Sequence, residues 1–233
     1  MYTVSATYNT ILADELHWYE TQVKINDVVY PQSQIMEMSV SYREFTEEYP
    51  VAGGCLSAEL SLKMLTPSVQ IPRMAKVEPF ARITNGTLTS EWIPQGVFYI
   101  DTREYSQNDD NLPVMSLHCY DSMLKAEADY PETTHAWPYT DINVVNEIAT
   151  AMGVSVDART TALMTHGYSI SLPAGYTMRE TLGYIAAMYA GNFVMTYDGE
   201  LLLIGLNSLP PETNYLVNNA GFAITFGGDR ILV

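Results

Sequence analysis

The first half of the chain alternates between apolar and polar side chains with a period of two residues. The clearest run lies between residues 56 and 64, and its apolar members are Leu56, Ala58, Leu60, Leu62 and Met64. Successive side chains of a β-strand point to opposite faces of a sheet, so the run predicts a strand with one face in a core. A second run has the same period, with Met36, Met38, Val40 and Tyr42 as its apolar members. Two such runs argue against an all-helical fold.

Shorter strand candidates continue this pattern as far as residue 120. They are residues 22–25, 28–30, 77–83, 97–105 and 114–120. The pairs Asn26-Asp27 and Asn85-Gly86 between them are typical of tight turns. Six or seven short strands at this spacing form a barrel or a sandwich. Residues 1–120 are therefore predicted to be one all-β domain.

Helical periodicity begins after Tyr120. Residues 141–152 carry an apolar stripe at helical spacing, and Gly153 follows where a helix commonly ends. A second helix is predicted over residues 178–190, because Thr177 and Glu180 have the spacing of a capping box.

A hairpin completes this second region. Asp198-Gly199 is a strong turn signal, and it predicts paired strands over residues 193–204. Residues 121–206 are thus predicted to be a small α/β unit. Residues 207–233 read as a linker followed by one more strand. The predicted class of the whole chain is α+β, mainly β.

The charge of the chain excludes several kinds of partner. Its 27 Asp and Glu outnumber its 11 Lys and Arg, which gives a net charge of −16. Binding to DNA or to an anionic membrane depends on Lys and Arg, so both are disfavoured. The longest apolar stretch, residues 181–197, is interrupted by Gly183 and Gly191, so no membrane anchor is predicted.

Aromatic side chains are the main candidates for binding. The chain has 17 Tyr, and only 16% of its residues are charged, so much of its surface is expected to be neutral and aromatic. Such residues are enriched at subunit interfaces, which favours self-association or a permanent partner. The same side chains are also compatible with a sugar-stacking platform; the candidates are Trp18, Tyr19, Trp92, Trp137 and Tyr139.

No catalytic pattern is recognisable in the sequence. There is no glycine-rich phosphate loop and no metal-binding spacing among His17, His118, His135 and His166. His118 and Cys119 are neighbours, but on a strand they point to opposite faces and do not form a catalytic pair. The prediction is a protein that is not an enzyme and has neither cofactor nor metal.

Five segments, in this order and spacing, resemble the N-terminal region of tail-hub proteins of long-tailed bacteriophages and prophages. They are SEWIPQGVFYID at 90–101, CYDSMLK at 119–125, YTMRETL at 176–182, GNF at 191–193 and DGEL at 198–201. This family comprises tail-tip and baseplate hubs and tail-associated minor structural proteins. The resemblance covers roughly residues 20–233.

The resemblance implies a specific architecture. Residues 1–120 would form a tail-tube-like β-barrel, and residues 121–206 would be an α/β unit inserted after it. The strand within residues 207–233 would return to the first barrel or start a second one. The sequence ends on the apolar run Ile231-Leu232-Val233, and we therefore expect the chain to be the N-terminal part of a longer protein. This expectation fits the resemblance, because no second barrel is visible in the 233 residues.

The resemblance also implies a function in the virion tail. Hubs of this family self-associate as trimers, contact other tail proteins, and join the tail tube to the distal tip or baseplate. DNA passes through their channel without specific binding, and assembly takes place in the host cytoplasm. Trp92, Ile93 and Tyr99 are predicted to lie at the subunit interface. The alternatives are a carbohydrate-binding module at the tail tip and the N-terminal part of a cell-wall hydrolase.

Overall fold

The computed structural model describes residues 4–43, 51–108, 111–132 and 135–205, and the backbone of two further residue pairs. The elements up to Asp121 are α1 (Ala6–Leu12), β1 (Trp18–Ile25), β2 (Val28–Pro31), a 3-10 turn (Gln32–Gln34), β3 (Ile35–Ser41), β4 (Glu59–Leu65), β5 (Lys76–Thr84), β6 (Ile93–Pro94), β7 (Phe98–Gln107) and β8 (Pro113–Asp121). Those after it are a second 3-10 turn (Ser122–Glu127), β9 (Tyr139–Thr140), α2 (Asp141–Met152), α3 (Ala158–Leu163), β10 (Ser169–Ile170), α4 (Met178–Met188), β11 (Gly191–Met195), β12 (Leu201–Gly205), β13 (Thr225–Phe226) and β14 (Asp229–Arg230).

The first eight strands form one antiparallel sheet. Its order is β2-β1-β5-β7-β8-β4-β3, and β6 adds to β5. The apolar members of the alternating run on β4 and just before it are all buried, as the period of two predicts. Four of them, Ala58, Leu60, Leu62 and Met64, form a single apolar core with side chains that include Val23, Phe98 and Leu117. The predicted class, α+β and mainly β, is confirmed.

The described strands do not close a hydrogen-bonded barrel. No ladder joins β2 to β3, the two ends of the sheet, within the part of the chain that the structure describes. The two edges are nevertheless consecutive in the chain, since only the turn Gln32–Gln34 separates them. Near the middle of the sheet, β5 and β7 share just two residue pairs. The sheet therefore curls, so that its two edge strands meet at the turn Gln32–Gln34 without a hydrogen-bonded ladder between them in the described chain.

Strand β3 departs from the predicted alternation at its start. A bulge interrupts its register with β4 between Ile35 and Glu37. Because a bulge inserts one extra residue, Met36 does not reach the core and is 43% exposed. Its predicted position on the buried face is wrong.

A second apolar core lies among the helices and the β11–β12 hairpin. Its largest contributions come from α2 and α4, whose inward residues include Val145, Ile148, Leu182 and Ile185. The helix predicted over residues 141–152 is confirmed. The second helix ends at Met188, two residues earlier than predicted, and the hairpin starts two residues earlier, at Gly191. The short helices α1 and α3 were not predicted.

A segment from the first half of the chain adds a strand-like edge to this hairpin. The Gly53 N–H donates to Gly191 O at 2.8 Å, Phe193 N–H to Gly54 O at 2.9 Å, and Leu56 N–H to Phe193 O at 2.9 Å. Residues 53–56 thus belong to the hairpin's sheet although they precede β4. The domain division at residue 120 stays a prediction. Apart from β13 and β14, residues 207–233 lie outside the described residues.

Two side chains tie the sheet to the second core. The Asp121 carboxylate accepts hydrogen bonds from Ala58 N–H at 2.7 Å and from Met123 N–H at 2.9 Å. The Arg179 guanidinium donates to Cys55 O at 2.7 Å and to Met123 O at 3.0 Å. These bonds fix where β4, β8 and α4 meet.

Candidate interaction surfaces

The three residues predicted to form an interface lie in two different environments. Trp92 is half-buried, and the Arg82 guanidinium lies 4.3 Å from the centre of its ring. Ile93 is next to it on β6 and pairs with β5. Tyr99 faces the second 3-10 turn, where Lys125 Nζ lies 4.0 Å from the centre of its ring. The structure brings Trp92 and Ile93 together and directs Tyr99 to a contact within the chain.

Ile93 borders a groove of 420 Å³ that we call the tyrosine groove. It runs between α1, the β5–β6 edge and the turn after β11, and it is lined by Val4, Tyr8, Tyr19, Ala81, Arg82, Ile83, Ile93, Pro94, Gln95 and Tyr197. Tyr19 is 56% exposed and Tyr197 is 41% exposed. Exposed tyrosines beside aliphatic side chains are typical of protein interfaces.

Tyr197, which forms one wall of the tyrosine groove, is held in place by a residue that follows β3. Tyr197 packs edge-to-face on Tyr42 with ring centres 5.0 Å apart. The Tyr42 hydroxyl donates to Gln95 O at 2.6 Å. The floor is held by Arg82, which lies 2.6 Å from the Glu20 carboxylate. The groove is therefore formed before any partner binds.

A second depression, the aromatic cleft, lies in the helical half of the chain. Its volume is 700 Å³ and its lining is Asp129, Tyr130, Pro131, Glu132, Trp137, Leu172, Pro173, Ala174, Gly175 and Tyr176. Its two walls are linked by backbone hydrogen bonds, from Tyr130 N–H to Tyr176 O at 3.0 Å and from Met178 N–H to Ala128 O at 2.9 Å. Among the candidate aromatics of the sequence, the structure places Trp137 in this cleft.

Contacts among His135, Tyr139 and Glu147 support the rings of the aromatic cleft. His135 stacks on Tyr139 with ring centres 4.0 Å apart, and its Nε2 lies 2.7 Å from the Glu147 carboxylate on α2. The Tyr130 hydroxyl donates to the same carboxylate at 2.5 Å. Burial and this hydrogen bond raise the pKa of the Tyr130 hydroxyl. The cluster fixes Tyr130 and the residues beside Trp137 relative to α2.

Sequence reasoning missed Tyr176 and Tyr130 as members of one cleft. They are separated along the chain by two helices and two strands, and no local pattern connects them. The density of aromatic residues between positions 130 and 139 is the one signal that pointed to this region.

The described residues offer no catalytic constellation around the thiols. Cys119 is fully buried in the sheet core, while His118 points outward, 3.7 Å from the Glu59 carboxylate. Burial raises the pKa of the Cys119 thiol to about 12, and burial likewise raises the pKa of the Cys55 thiol to about 12. Both thiols are protonated at neutral pH and both are free. Within the described ranges no group of three or more His, Cys, Asp and Glu could hold a metal ion.

The second half of the chain is acidic and contains few cations. Residues 121–205 contain ten Asp and Glu but three Lys and Arg, which are Lys125, Arg159 and Arg179. Each of the three cations is already engaged: Lys125 donates to Met152 O, Arg159 binds Asp157, and Arg179 lies 2.7 Å from the Glu127 carboxylate. This half of the surface therefore repels polyanions.

Comparison with protein-family models gives no match, and comparison with curated proteins gives none either. Three solved structures share the fold. A 43 kDa tail protein of prophage MuSo2 from Shewanella oneidensis is 12% identical, with a TM-score of 0.55 and coverage of 80% of this chain and 53% of that one. A tail protein from Neisseria meningitidis is 13% identical, with a TM-score of 0.53 and coverage of 85% and 54%.

The third is prophage tail protein gp18 from Listeria monocytogenes, which is 6% identical, with a TM-score of 0.52 and coverage of 86% and 55%. The chain thus has the fold of phage tail proteins and spans about half the length of those it matches. In the described residues, no helix is both long and apolar enough to cross a bilayer.

Proposed function

We propose that the chain is a structural, non-enzymatic component of a phage or prophage tail, a hub that connects the tail tube to the distal tip or baseplate. The observation that carries the proposal is the shared fold, which extends over 80% or more of the chain in three tail proteins. The sheet of β1 to β8 and the α/β unit predicted over residues 121–206 act together to join tube and tip. The protein resides in the virion tail and is assembled in the host cytoplasm.

The tyrosine groove is the subunit interface in this proposal. It has the composition of an interface, because the exposed Tyr19 and Tyr197 lie beside apolar lining residues that include Ile93. The neighbouring Trp92 is held by Arg82 and adds a rigid aromatic edge. Trp92 and Ile93 are thus the predicted residues that we retain, and Tyr99 contributes by fixing the sheet to the second 3-10 turn.

DNA passes the hub without binding to it. The second half of the described chain is acidic, and each of its Lys and Arg side chains already has a partner in the protein. It therefore repels phosphate groups and offers no free cation to bind them. We expect a DNA channel to run past this half. Double-stranded DNA should show no retention on the immobilised protein even at about 0.05 M salt, where phosphate contacts are strongest.

Assembly of the full-length parent protein tests the proposal. Native mass measurement and negative-stain imaging should show rings of threefold symmetry that also contain or recruit other tail proteins. Ile93→Glu should reduce ring formation, because it places a charge among the apolar lining residues of the groove. Tyr105→Glu, at an exposed position of β7 outside the groove, is the matched control and should leave the rings intact.

Two outcomes contradict the proposal. A parent protein that remains a monomer at micromolar concentration has no hub function. Clearing of a turbid cell-wall suspension by residues 1–233 would show an enzyme instead of a structural component.

A further inference from the structure

We propose that the aromatic cleft is a binding site for uncharged polysaccharide. This function is independent of subunit assembly, since the cleft shares no lining residue with the tyrosine groove. The occupant we infer is a short stretch of a neutral sugar chain, such as a glycan of a cell surface. The inference depends on three features of the cleft: its rings, its carboxylates and its paired backbone.

The rings provide the apolar contacts. Tyr130, Trp137 and Tyr176 line the cleft together, and Leu172, which is 51% exposed, adds an aliphatic edge. Tyr176 is 42% exposed and packs edge-to-face against Tyr184, with ring centres 5.5 Å apart. The C–H faces of a pyranose ring bind flat aromatic surfaces of this kind, because both are apolar and the positive C–H edges meet the negative π face.

The carboxylates provide acceptors for hydroxyl groups. Asp129 and Glu132 are exposed at the cleft, and within the described chain neither is part of an ion pair. An ionised carboxylate has about four acceptor positions and no donor, so it suits the hydroxyl rim of a sugar. The described lining contains no Lys or Arg, and this excludes phosphorylated or uronic-acid chains by repulsion.

The backbone of the cleft favours a sugar over a peptide. A peptide in an extended conformation needs free N–H and C=O groups along the wall. Here Tyr130 N–H is bonded to Tyr176 O, Ala174 N–H to Leu172 O, and Tyr176 N–H to Pro173 O. These bonds use three N–H groups of the cleft, which leaves fewer donors for an extended peptide and favours recognition by the side chains.

The cleft is formed in advance and is large enough for several sugar rings. Its volume of 700 Å³ falls within the usual range for ligand sites of about 300–1,000 Å³. The Glu147 carboxylate holds Tyr130 and His135, and the bridge between Asp129 and Thr177 holds one end of the cleft. Since the walls are fixed before binding, little conformational entropy is lost when a sugar enters.

Titration with defined oligosaccharides tests this site. The probes are three neutral tetrasaccharides, of N-acetylglucosamine, β-glucose and α-glucose, with tetragalacturonate as the anionic comparison and tetralysine as the cationic one. Binding is measured by tryptophan fluorescence and by saturation-transfer NMR. We expect at least one neutral tetrasaccharide to bind with a Kd below about 1 mM, and tetragalacturonate to bind at least about tenfold more weakly.

Variants distinguish this site from other aromatic surfaces. Tyr176→Ala should weaken binding about tenfold or more, since stacking on one ring contributes at this level. Trp137→Phe should keep the binding seen by NMR and lose the fluorescence response. Tyr105→Ala removes a tyrosine outside the cleft that is 63% exposed, against 42% for Tyr176, and should change nothing. Each variant is first shown by circular dichroism to be folded.

The proposal is overturned if none of the neutral tetrasaccharides binds at concentrations up to about 10 mM. It is also overturned if Tyr176→Ala and Tyr105→Ala bind equally well. Tighter binding of tetralysine that disappears in Asp129→Asn would identify a basic peptide as the ligand instead. None of these outcomes depends on ring formation, so the hub proposal is tested separately.

Discussion

Asp121 shows at the level of one residue how this chain joins its two cores. It ends β8, caps the second 3-10 turn through Met123 N–H, and accepts a further bond from Ala58 N–H. Burial raises the pKa of its carboxyl to about 6, although the two N–H donors and the nearby Arg179 act in the opposite direction. The Asp121 carboxylate is therefore charged at neutral pH, and its burial in that form lowers the free energy of unfolding.

This shift predicts a pH dependence of unfolding. The ordinary pKa of Asp in an unfolded chain is about 3.9, so between about pH 4 and pH 6 the folded chain holds a proton that the unfolded chain has lost. The contribution of Asp121 to stability is thus present at the acid end of this window and is lost as the pH rises through it. Asp121→Asn does not titrate, and its amide N–H₂ faces one backbone N–H, so the variant is less stable than the wild type.

The measurement is the difference in unfolding free energy between wild type and Asp121→Asn, from urea titrations between about pH 5 and pH 7. The difference should shrink by about 1 kcal/mol over this range. More acidic conditions are avoided because the isoelectric point is close to 4.4. A difference that grows with pH would mean that the pKa of Asp121 is lowered in the folded chain.

Among the elements, α4 and residues 53–56 approach each other unusually closely. A Cβ on Gly183 would lie 2.9 Å from Gly53 O, a backbone atom that cannot easily move. In a helix interior Gly→Ala normally stabilises by about 1 kcal/mol. Here we expect Gly183→Ala to destabilise by about 1–3 kcal/mol, because the added methyl group overpacks the contact.

Urea unfolding of Gly183→Ala, compared with Thr150→Ala, checks this expectation. Thr150 is exposed on α2 and its hydroxyl donates to Asn146 O, so Thr150→Ala should show the ordinary gain of up to about 0.5 kcal/mol. If both variants gained stability alike, the close approach of α4 to Gly53 would be wrong.

The Arg179 side chain connects α4 to residues 55–57 and to the second 3-10 turn. From α4 it donates to Cys55 O, Ser57 Oγ and Met123 O, and it lies 2.7 Å from the Glu127 carboxylate. Arg179→Met leaves these acceptors without a partner and should cost about 2–4 kcal/mol of unfolding free energy.

Arg73→Met is the matched control for Arg179→Met. Arg73 is exposed and takes part in no ion pair among the described residues, so its replacement should change the stability by less than about 0.5 kcal/mol. Equal losses from the two substitutions, measured by urea titration, would show that the contacts of Arg179 do not join the elements.

The elements also show what the sequence can and cannot predict. The bounds of α2 and the capping box of α4 are correct because each is decided by residues within one or two turns. The alternation of β4 is correct because one face of the strand meets a core. By contrast, the pairing of residues 53–56 with β11 depends on chain segments more than 130 residues apart, as in the Gly54 N–H to Asn192 Oδ1 bond. The aromatic cleft was missed for the same reason.

At the scale of the whole molecule, the two surfaces have different chemistry. The tyrosine groove lies where the eight-stranded sheet meets the β11–β12 hairpin. The one charged side chain in its described lining, Arg82, forms an ion pair with Glu20. The aromatic cleft carries Asp129 and Glu132, neither of which forms an ion pair within the described residues, and its described lining has no Lys or Arg. A groove of neutral character suits a copy of the same chain, whereas an acidic cleft suits a ligand without negative charge.

Self-association through the tyrosine groove should therefore strengthen with salt. Two copies with a charge of −16 each repel one another, and no ion pair across a neutral groove offsets the repulsion. Raising the salt from about 0.01 M to about 1 M shortens the Debye length from about 30 Å to about 3 Å, which screens the repulsion and leaves the apolar contacts intact. Sedimentation velocity of the 233-residue chain should show a larger associated fraction at the higher salt. Ile93→Glu should weaken association most at low salt, whereas dissociation of the wild type with rising salt would point to an interface built on ion pairs.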